Sequence, residues 1–403
     1  MRRDRRRGRV QKKPVDVPHV DNLDAARTRK KKQKIRSLLF WVLPLALLLV
    51  WLIARNSAAL VSAGDLVETL RIGAMRGPGF PQNTGISQLY QWQEMNGGFV
   101  VLGQESAVVY TDKGVRLRSI QAGYARPALS AGNTRFVLYN RGGTELRVES
   151  RSKTLYTQQY PSGILLSEMG PDGSLAVVTE DPSYTAQMLV YPSSMEQPLI
   201  WKMTSKEGTP AAIAFSDNEK KVAVVTLSAA EGKTVSRLYI LDRSRQKEIL
   251  LDTRTGTVPL QAEWRGDTLV VAYADGIVAY QEKKGPVAHF DLNGMTLTDL
   301  SILPNGRMAL LESRGSTSRI VLLDQDLTET GSVAVEAGSG VVLTRSGIYL
   351  YTDSNVICYT REGEYAWHIP CEMRPQGLLR TKAGVLMFRG GEVLVCTDPN
   401  PDE

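Results

Sequence analysis

Two short motifs carry residue types that could bind a ligand. Gly232-Lys233-Thr234 matches the end of a phosphate-binding loop, whose lysine and hydroxyl contact phosphate and magnesium. That loop also needs a glycine five residues earlier, where this chain has Leu227. The segment from Asp324 to Thr328 has the spacing of a calcium loop, but Glu329 stands where the sharp turn needs glycine. Both segments are interpreted as hairpin loops, and no cofactor or metal is expected.

The histidines are too few and too scattered for a metal site or for a catalytic base with an orienting partner. His19 lies near the amino terminus, and His289 and His368 lie on two predicted outer strands. The chain contains no Gly-x-Ser-x-Gly elbow and no His-Glu-x-x-His motif. The sequence therefore favours a protein that is not an enzyme.

Three cysteines lie near the carboxyl terminus, and none forms a Cys-x-x-Cys pair: Cys358, Cys371 and Cys396. Buried, inert thiols are the favoured interpretation, because free cysteine is among the most buried residue types. One disulfide, involving Cys371, stays an alternative for an oxidising compartment.

An apolar segment divides the chain into parts of opposite charge. Residues 1–36 contain fifteen Lys or Arg and four Asp, a formal charge of +11. Since the whole chain is +7, residues 37–403 sum to −4. The tail is predicted to be a disordered cytoplasmic arm that meets anionic lipid headgroups. No nucleic-acid partner is expected for the large acidic part.

Residues 37–54 are predicted to form a transmembrane helix, with the lipid bilayer as its partner. The segment has no charge, and its length as a helix is about 27 Å, just enough to span. Tryptophans near both ends favour the membrane interface. The residues assigned to the anchor are Leu38, Leu39, Phe40, Trp41, Val42, Leu43, Pro44, Leu45, Ala46, Leu47, Leu48, Leu49, Val50, Trp51, Leu52 and Ile53.

The basic residues before the anchor predict a cytoplasmic amino terminus and a large domain outside the cytoplasm. The charges assigned to this role are Lys30, Lys31, Lys32, Lys34 and Arg36. A cleaved signal peptide is the competing interpretation, because Val61-Ser62-Ala63 has the small residues of a cleavage site. The long apolar core and the long tail before it favour a retained anchor, followed by a linker at residues 55–65.

From about residue 85 the chain repeats a turn followed by an apolar strand. The strand appears eight times at spacings of about 37 to 47 residues, the range of a four-stranded propeller blade. This strand reads GGFVVL, TRFVLY, GSLAVVT, KKVAVVT, DTLVVAY, GRMALLE, GIYLYT and GVLMFR in the eight repeats. A second strand also recurs, as VVYTDKG from Val108, VAYQEKKG from Val278 and ICYTREG from Ile357. An all-β propeller is therefore predicted.

Eight units are counted, with seven blades as the alternative. They cover residues 86–121, 127–159, 164–203, 210–252, 258–291, 297–335, 339–369 and 376–397. The last unit has room for three strands before a polar tail at 398–403. Residues 66–74 alternate like an outer strand and are predicted to complete the last blade, so that the propeller spans 66–397. No helix is expected beyond the anchor.

The pieces DKGVRLRSI and REGEYAWHI resemble the repeats of quinoprotein-like and WD40-like propellers. The plan of a basic tail, one membrane helix and one propeller is similar to the bacterial family catalogued as domain of unknown function 5711, over essentially the whole chain. That resemblance implies a single-pass membrane protein with an extracytoplasmic propeller and no assigned activity.

Quinone-dependent dehydrogenases are the enzyme hypothesis that this resemblance raises. Their regular tryptophan has a counterpart only near Trp201 and Trp367, and the chain lacks an adjacent cysteine pair. Packing explains the tryptophans better than a ligand cage does. The four residues are Trp92, Trp201, Trp264 and Trp367. The favoured function is a protein-binding or scaffolding module at the cell envelope, and the alternative is a single-pass sensor.

Overall fold

A computed structural model of the chain describes residues 57–399. The predicted tail, membrane helix and last four residues lie outside this range. Within it, no helix is long and apolar enough to cross a membrane. Residues 57–399 form one helix, α1 (Ser57–Gly73), and 32 strands in eight four-stranded antiparallel sheets. Residues 61–399 belong to one compact unit.

The eight sheets are the blades of a propeller, and the strands of each blade are named from the innermost outward. Blades 1 and 2 contain β2 (Leu89–Met95), β3 (Gly98–Gly103), β4 (Ser106–Thr111) and β5 (Arg116–Gln121), then β6 (Pro127–Ala131), β7 (Arg135–Asn140), β8 (Glu145–Ser150) and β9 (Thr154–Gln159). Blades 3 and 4 contain β10 (Ile164–Met169), β11 (Leu175–Thr179), β12 (Ala186–Tyr191) and β13 (Leu199–Met203), then β14 (Thr209–Phe215), β15 (Lys221–Ala230), β16 (Lys233–Asp242) and β17 (Lys247–Thr255).

The second half of the ring repeats the same order. Blades 5 and 6 contain β18 (Pro259–Arg265), β19 (Thr268–Tyr273), β20 (Gly276–Gln281) and β21 (Gly285–Asp291), then β22 (Thr296–Ile302), β23 (Met308–Arg314), β24 (Thr317–Leu323) and β25 (Glu329–Val335). Blades 7 and 8 contain β26 (Gly340–Leu343), β27 (Ile348–Tyr351), β28 (Asn355–Tyr359) and β29 (Tyr365–Pro370), then β30 (Gly377–Thr381), β31 (Gly384–Arg389), β32 (Glu392–Val395) and β1 (Gln82–Asn83). The prediction of eight blades is confirmed.

The ring is closed by the amino-terminal strand β1, which is the outer strand of blade 8. Gln82 pairs with Val393 and Asn83 with Glu392. Beyond the strand, the backbone N–H and the hydroxyl of Thr84 both donate to the carbonyl of Gly391, each at 2.8 Å. Closure by a segment before the first blade was therefore predicted correctly, because a blade left with three strands would expose an unpaired edge.

The residues predicted to close the ring were wrong, and so was the expectation of no helix beyond the anchor. Residues 66–74 belong almost entirely to α1, and the predicted linker also overlaps this helix, which begins at Ser57. The residues of α1 that face the propeller are Asp65, Glu68, Thr69 and Ile72. Their spacing of three and four residues is the helical period. The polar character of three of them hid that period from a search for apolar periodicity.

The core lies between neighbouring blades. Strands β3 and β7, the second strands of blades 1 and 2, are buried on both faces. Val100 and Leu102 of blade 1 belong to the same buried cluster as Leu129 and Leu138 of blade 2. Each blade thus buries its two faces against the blades on either side, as blade 1 does against blades 2 and 8, so a single unit of this repeat has no partner for its apolar faces.

A recurring tyrosine at the end of the third strand fastens each of two blades to the one before it. The Tyr110 hydroxyl donates to the Asn83 carbonyl of β1 at 2.7 Å, across the closure of the ring. The Tyr280 hydroxyl donates to Asp252 Oδ2 of β17, also at 2.7 Å. The tyrosine in the recurring VVYTDKG-like motif therefore serves packing between blades.

The two faces of the propeller differ. One face carries the turns between the first and second strands and between the third and fourth strands of each blade. Helix α1 packs against these turns in blades 1 and 2, and this face is called the helix face. The opposite face, which carries the connections between successive blades, is called the open face.

Candidate functional site

The two loop motifs have structural roles. Gly232-Lys233-Thr234 occupies the hairpin between β15 and β16, where Lys233 pairs with Ala230. The Asp324 Oδ1 atom accepts the backbone N–H groups of Asp326 at 2.9 Å and Thr328 at 3.0 Å. This carboxylate holds a turn together. Both loop interpretations are confirmed, and within residues 57–399 no three His, Cys, Asp or Glu side chains are arranged to hold a metal ion.

The two histidines of the propeller lie on outer strands, as predicted. His289 is on β21 in blade 5, where its Nε2 is 3.6 Å from Asp291 Oδ2 and both side chains are exposed. His368 is on β29 in blade 7, where its Nδ1 lies 2.7 Å from the Tyr365 hydroxyl. The two rings belong to different blades and share no site.

The three cysteines are free thiols, so the alternative of a disulfide is not borne out. Cys358 and Cys396 are buried, and Cys371 is half-buried. Burial raises the pKa of Cys358 to about 11 and that of Cys396 to about 12. Because the thiolate is the reactive form, these two thiols are held in their unreactive state.

The four tryptophans of the propeller pack rather than form a cage. Two of them also donate a hydrogen bond to a carbonyl of the neighbouring blade, as Trp92 Nε1 does to Leu378 at 2.8 Å and Trp264 Nε1 to Ala214 at 3.2 Å. The other two make edge-on contacts with tyrosines, namely Trp201 with Tyr239 and Trp367 with Tyr349. The packing interpretation is confirmed.

The central channel is the site that sequence reasoning missed. A cavity of about 530 Å³ runs along the innermost strands of blades 1, 5, 6, 7 and 8. A second cavity of about 250 Å³ lies toward the helix face and is lined by blades 1 to 5. Glu94, Glu263 and Arg265 line both cavities, so the two are neighbouring parts of one channel.

Carboxyl groups dominate the charge of the channel wall. Burial raises the pKa of four of them, and it raises that of Glu168 to about 7, although a hydrogen bond with Ser130 opposes the change. The four groups are Glu94, Glu168, Glu263 and Asp299. Carboxyls in a narrow channel lose part of their hydration, so the neutral form gains relative to the charged form.

Two arginines face these carboxyls. Arg265 pairs with Glu263 on the same strand. Arg380 donates to the carbonyls of Leu343 at 3.0 Å and Ile302 at 3.3 Å, and thereby links blade 8 to blades 7 and 6. Burial lowers the pKa of Arg380, and nearby Glu94 opposes that change. The channel thus offers both anionic acceptors and cationic donors.

Several polar side chains of the channel wall connect neighbouring blades. Gln91 Oε1 accepts the N–H of Leu129 at 2.7 Å. Asp299 Oδ2 accepts the N–H of Val341 at 2.8 Å, and its Oδ1 accepts that of Leu300 at 2.9 Å. The innermost strand of each blade has no strand beside it on the channel side, and these bonds satisfy backbone groups along that edge. Asp299 is therefore held by backbone groups.

The open-face end of the channel is apolar at its rim. Tyr90, near the start of β2, is 40% exposed. Tyr351, at the open-face end of β27, also lines the larger cavity, and Leu300 and Leu379 line its wall farther in. Met373, in the connection that leads to β30, is 49% exposed on the same face. The channel therefore combines an apolar rim with a charged interior.

A groove of about 600 Å³ also lies on the helix face between blades 3 and 4. Two of its charged groups, Arg243 and Glu219, are engaged with the protein itself. Arg243 donates to Ser174 Oγ at 3.0 Å and to the Glu219 carbonyl at 2.7 Å, and Glu219 Oε1 accepts the Asp172 N–H at 2.7 Å. The central channel is the better candidate for binding.

Fold and site together define an eight-bladed β-propeller that is closed by its amino-terminal strand and has a charged central channel. The chain belongs to the family described as "Family of unknown function (DUF5711)", whose match covers residues 82–293. The resemblance was expected over essentially the whole chain, and the match covers the first five blades and β1. No protein with a curated description matches the chain.

Solved propellers share this fold at low sequence identity. Sqt1 from Saccharomyces cerevisiae is 10% identical with a TM-score of 0.56, and the match covers 79% of this chain and 98% of Sqt1. BamB from Moraxella catarrhalis is 13% identical with a TM-score of 0.54, covering 80% and 98%. Sqt1 from Chaetomium thermophilum, solved with the N-terminus of the ribosomal protein L10, is 13% identical with a TM-score of 0.54, covering 77% and 97%.

Proposed function

We propose that this protein is a non-enzymatic propeller that binds a protein partner, and that residues 37–54 tether it to the outer face of a bacterial cytoplasmic membrane. The observation that carries the binding role is the central channel, with an apolar rim on the open face and charged groups inside. A rigid ring of blades that surrounds such a channel suits binding by loops and inner strands.

The chemistry of the channel favours an extended peptide segment that carries apolar and basic side chains. Tyr90 and Leu379 provide apolar surface at the rim and along the wall. Glu94 and Glu168 are carboxyls that accept hydrogen bonds from lysine or arginine. The Chaetomium thermophilum Sqt1, bound to the N-terminus of the ribosomal protein L10, supports a protein segment as the class of ligand.

Photo-crosslinking in intact cells tests the binding role. A photoreactive phenylalanine analogue at Tyr90 should capture one protein reproducibly, because this side chain lies at the mouth of the channel. The matched control is the same analogue at Val287, which is 43% exposed on outer strand β21. Glu94→Gln keeps the shape of the channel and should weaken the capture. The same protein captured equally at Val287, or capture unchanged by Glu94→Gln, would contradict a channel-binding partner.

Two fractionation experiments test the tether. The full-length protein should stay with membranes during alkaline carbonate extraction, because a spanning helix resists extraction that removes peripheral proteins. Protease added to intact spheroplasts should digest the propeller. A propeller that is protected until the membrane is broken would place it in the cytoplasm and overturn the proposed topology.

A further inference from the structure

Helix α1 turns its polar side, and not its apolar side, toward the domain on which it packs. Among residues 63–73, whose side chains the structure describes, the side facing the propeller carries Asp65, Glu68 and Thr69, and its one large apolar residue is Ile72. A helix at the surface of a soluble protein normally turns its apolar stripe to the core and its polar residues to water. The polar side of α1 is directed inward because the propeller supplies arginines there.

The first of these contacts joins Asp65 to blades 2 and 3. Asp65 Oδ2 lies 3.0 Å from Arg135 Nε and accepts the hydroxyl of Thr134 at 3.0 Å. Arg135 is buried, and its Nη1 donates to the Ser193 carbonyl of blade 3 at 2.7 Å. The helix is thereby fixed to the turns of two blades by one buried guanidinium.

The second contact is made by Arg151, whose side chain is fully buried. Its Nη2 donates to the Thr69 hydroxyl at 2.7 Å and lies 3.7 Å from Glu68 Oε2, and its Nη1 donates to the Asn96 carbonyl. Glu68 also accepts the hydroxyl of Ser150 at 3.2 Å. The orientation of the helix about its own axis is therefore determined by charged and hydrogen-bonded groups.

This orientation leaves the apolar side of α1 uncovered. Leu66, Val67 and Leu70 are 61%, 65% and 66% exposed, and their spacing places them on one side of the helix. They are the three most exposed large apolar side chains that the structure describes. An exposed apolar patch of this kind on a defined element marks an interaction surface.

We propose that this apolar side of α1 rests in the interfacial layer of the bilayer that holds the protein, so that the helix face of the propeller faces the membrane. The inference rests on the proposed tether. The apolar segment ends at Ala54, and α1 begins at Ser57. Three residues span at most about 11 Å, so the start of α1 lies within that distance of the end of the segment.

The charges around the patch fit a lipid surface. Arg71 on the helix and Arg76 just after it are exposed, as is Lys153 on the adjoining turn of blade 2. Lys113 of blade 1 is also exposed, and its Nζ donates to the carbonyls of Gly73 at 2.9 Å and Met75 at 3.0 Å. Basic residues near a bilayer surface are attracted to anionic headgroups. An apolar stripe flanked by basic residues is the pattern of a helix that lies in the membrane interface.

Fluorescence quenching by lipid in proteoliposomes tests the proposal with the full chain. In a Cys371→Ser background, which leaves only the buried thiols, Val67→Cys carries an environment-sensitive fluorophore, and Val287→Cys is the matched exposed control. Vesicles contain anionic lipid with or without bromine on the acyl chains. The Val67 label should lose about half or more of its emission in brominated vesicles, because interfacial helices bury their apolar side at this depth. The Val287 label should lose none.

Equal emission of the Val67 label in both kinds of vesicle would overturn the proposal. So would a disulfide-linked dimer of unlabelled Val67→Cys that forms in the same vesicles, because the patch would then be covered by a second copy of the chain. Carbonate extraction of the same samples reports on the tether independently. A protein that resists extraction but shows no quenching retains the tether and loses only the interfacial helix.

Discussion

Replacing Arg151 by methionine tests whether buried charge holds α1 on the propeller. Methionine keeps an unbranched chain of similar length but removes the guanidinium from Glu68, Thr69 and the Asn96 carbonyl. Burial lowers the pKa of Arg151, and Glu68 opposes that change, so the ion pair with Glu68 stabilises the charged guanidinium. The variant leaves Glu68 without its buried partner.

The magnitude follows from the burial of the pair. Removing one partner of a buried ion pair costs about 3–5 kcal/mol. Glu68 is 13% exposed and keeps the hydroxyls of Ser150 and Ser152, so we expect the lower end, about 3 kcal/mol. With an unfolding entropy of about 2.1 cal/mol/K per residue over roughly 320 residues, the midpoint temperature of thermal unfolding should fall by about 4 °C.

The assay is thermal unfolding of the full-length protein in detergent, followed by tryptophan fluorescence. Lys153→Met is the matched control, because Lys153 lies in the same turn and is exposed. Combining Arg151→Met with Glu68→Gln should cost less than the sum of the two single changes, because they remove the same contact. A midpoint lowered by less than about 1 °C, or lowered equally by the control, would refute the role assigned to Arg151.

Three further outcomes are expected. Tyr110→Phe removes the hydrogen bond to Asn83 and should lower the free energy of unfolding by about 1 kcal/mol, measured by urea denaturation; no change would exclude this bond from ring closure. The pKa of Glu168 is about 7 in the folded protein and 4.5 in the unfolded chain. Because the folded state binds this proton more tightly, the free energy of unfolding should fall as the pH rises from 4.5 to about 7. In urea denaturation at pH 5 and pH 8, Glu168→Gln should reduce the difference in the free energy of unfolding between the two pH values. An unchanged difference would mean that other groups cause the pH dependence. Gly377→Ala places a methyl 2.0 Å from the Trp92 ring and should cost about 1–3 kcal/mol with altered tryptophan emission, whereas wild-type behaviour would show that the ring moves freely.

The blades were predictable because their strands depend on local patterns. The unit predicted at residues 127–159 begins and ends with blade 2, from Pro127 to Gln159. Turns and doubly buried strands such as RFVLY leave a strong signal in a single sequence. The hydroxyl of the recurring tyrosine was not predicted to bridge blades, since its partner lies in another unit.

The helix and the channel were not predictable in the same way. Helix α1 is positioned by Arg135 and Arg151, which are 70 and 83 residues away from Asp65 and Glu68 in the chain. The channel carboxyls come from single positions on different inner strands, such as Glu94 and Glu168. The only signal was a polar residue within several of the short innermost strands, such as Glu94 in β2 and Glu168 in β10, which equally fits a half-exposed edge.

The position of α1 between the chain's amino-terminal segment and the ring has a mechanical consequence. A pull on the segment before Ser57 loads the contacts of Asp65 and Glu68 first, and only then the short strand β1 that holds blade 8 closed. The ion pairs of Arg135 and Arg151 with α1 therefore resist a pulling force before that force can separate β1 from β32. Tension applied through the residues before Ser57 is borne by side chains from blade 2 before it reaches the pairing of β1 with blade 8.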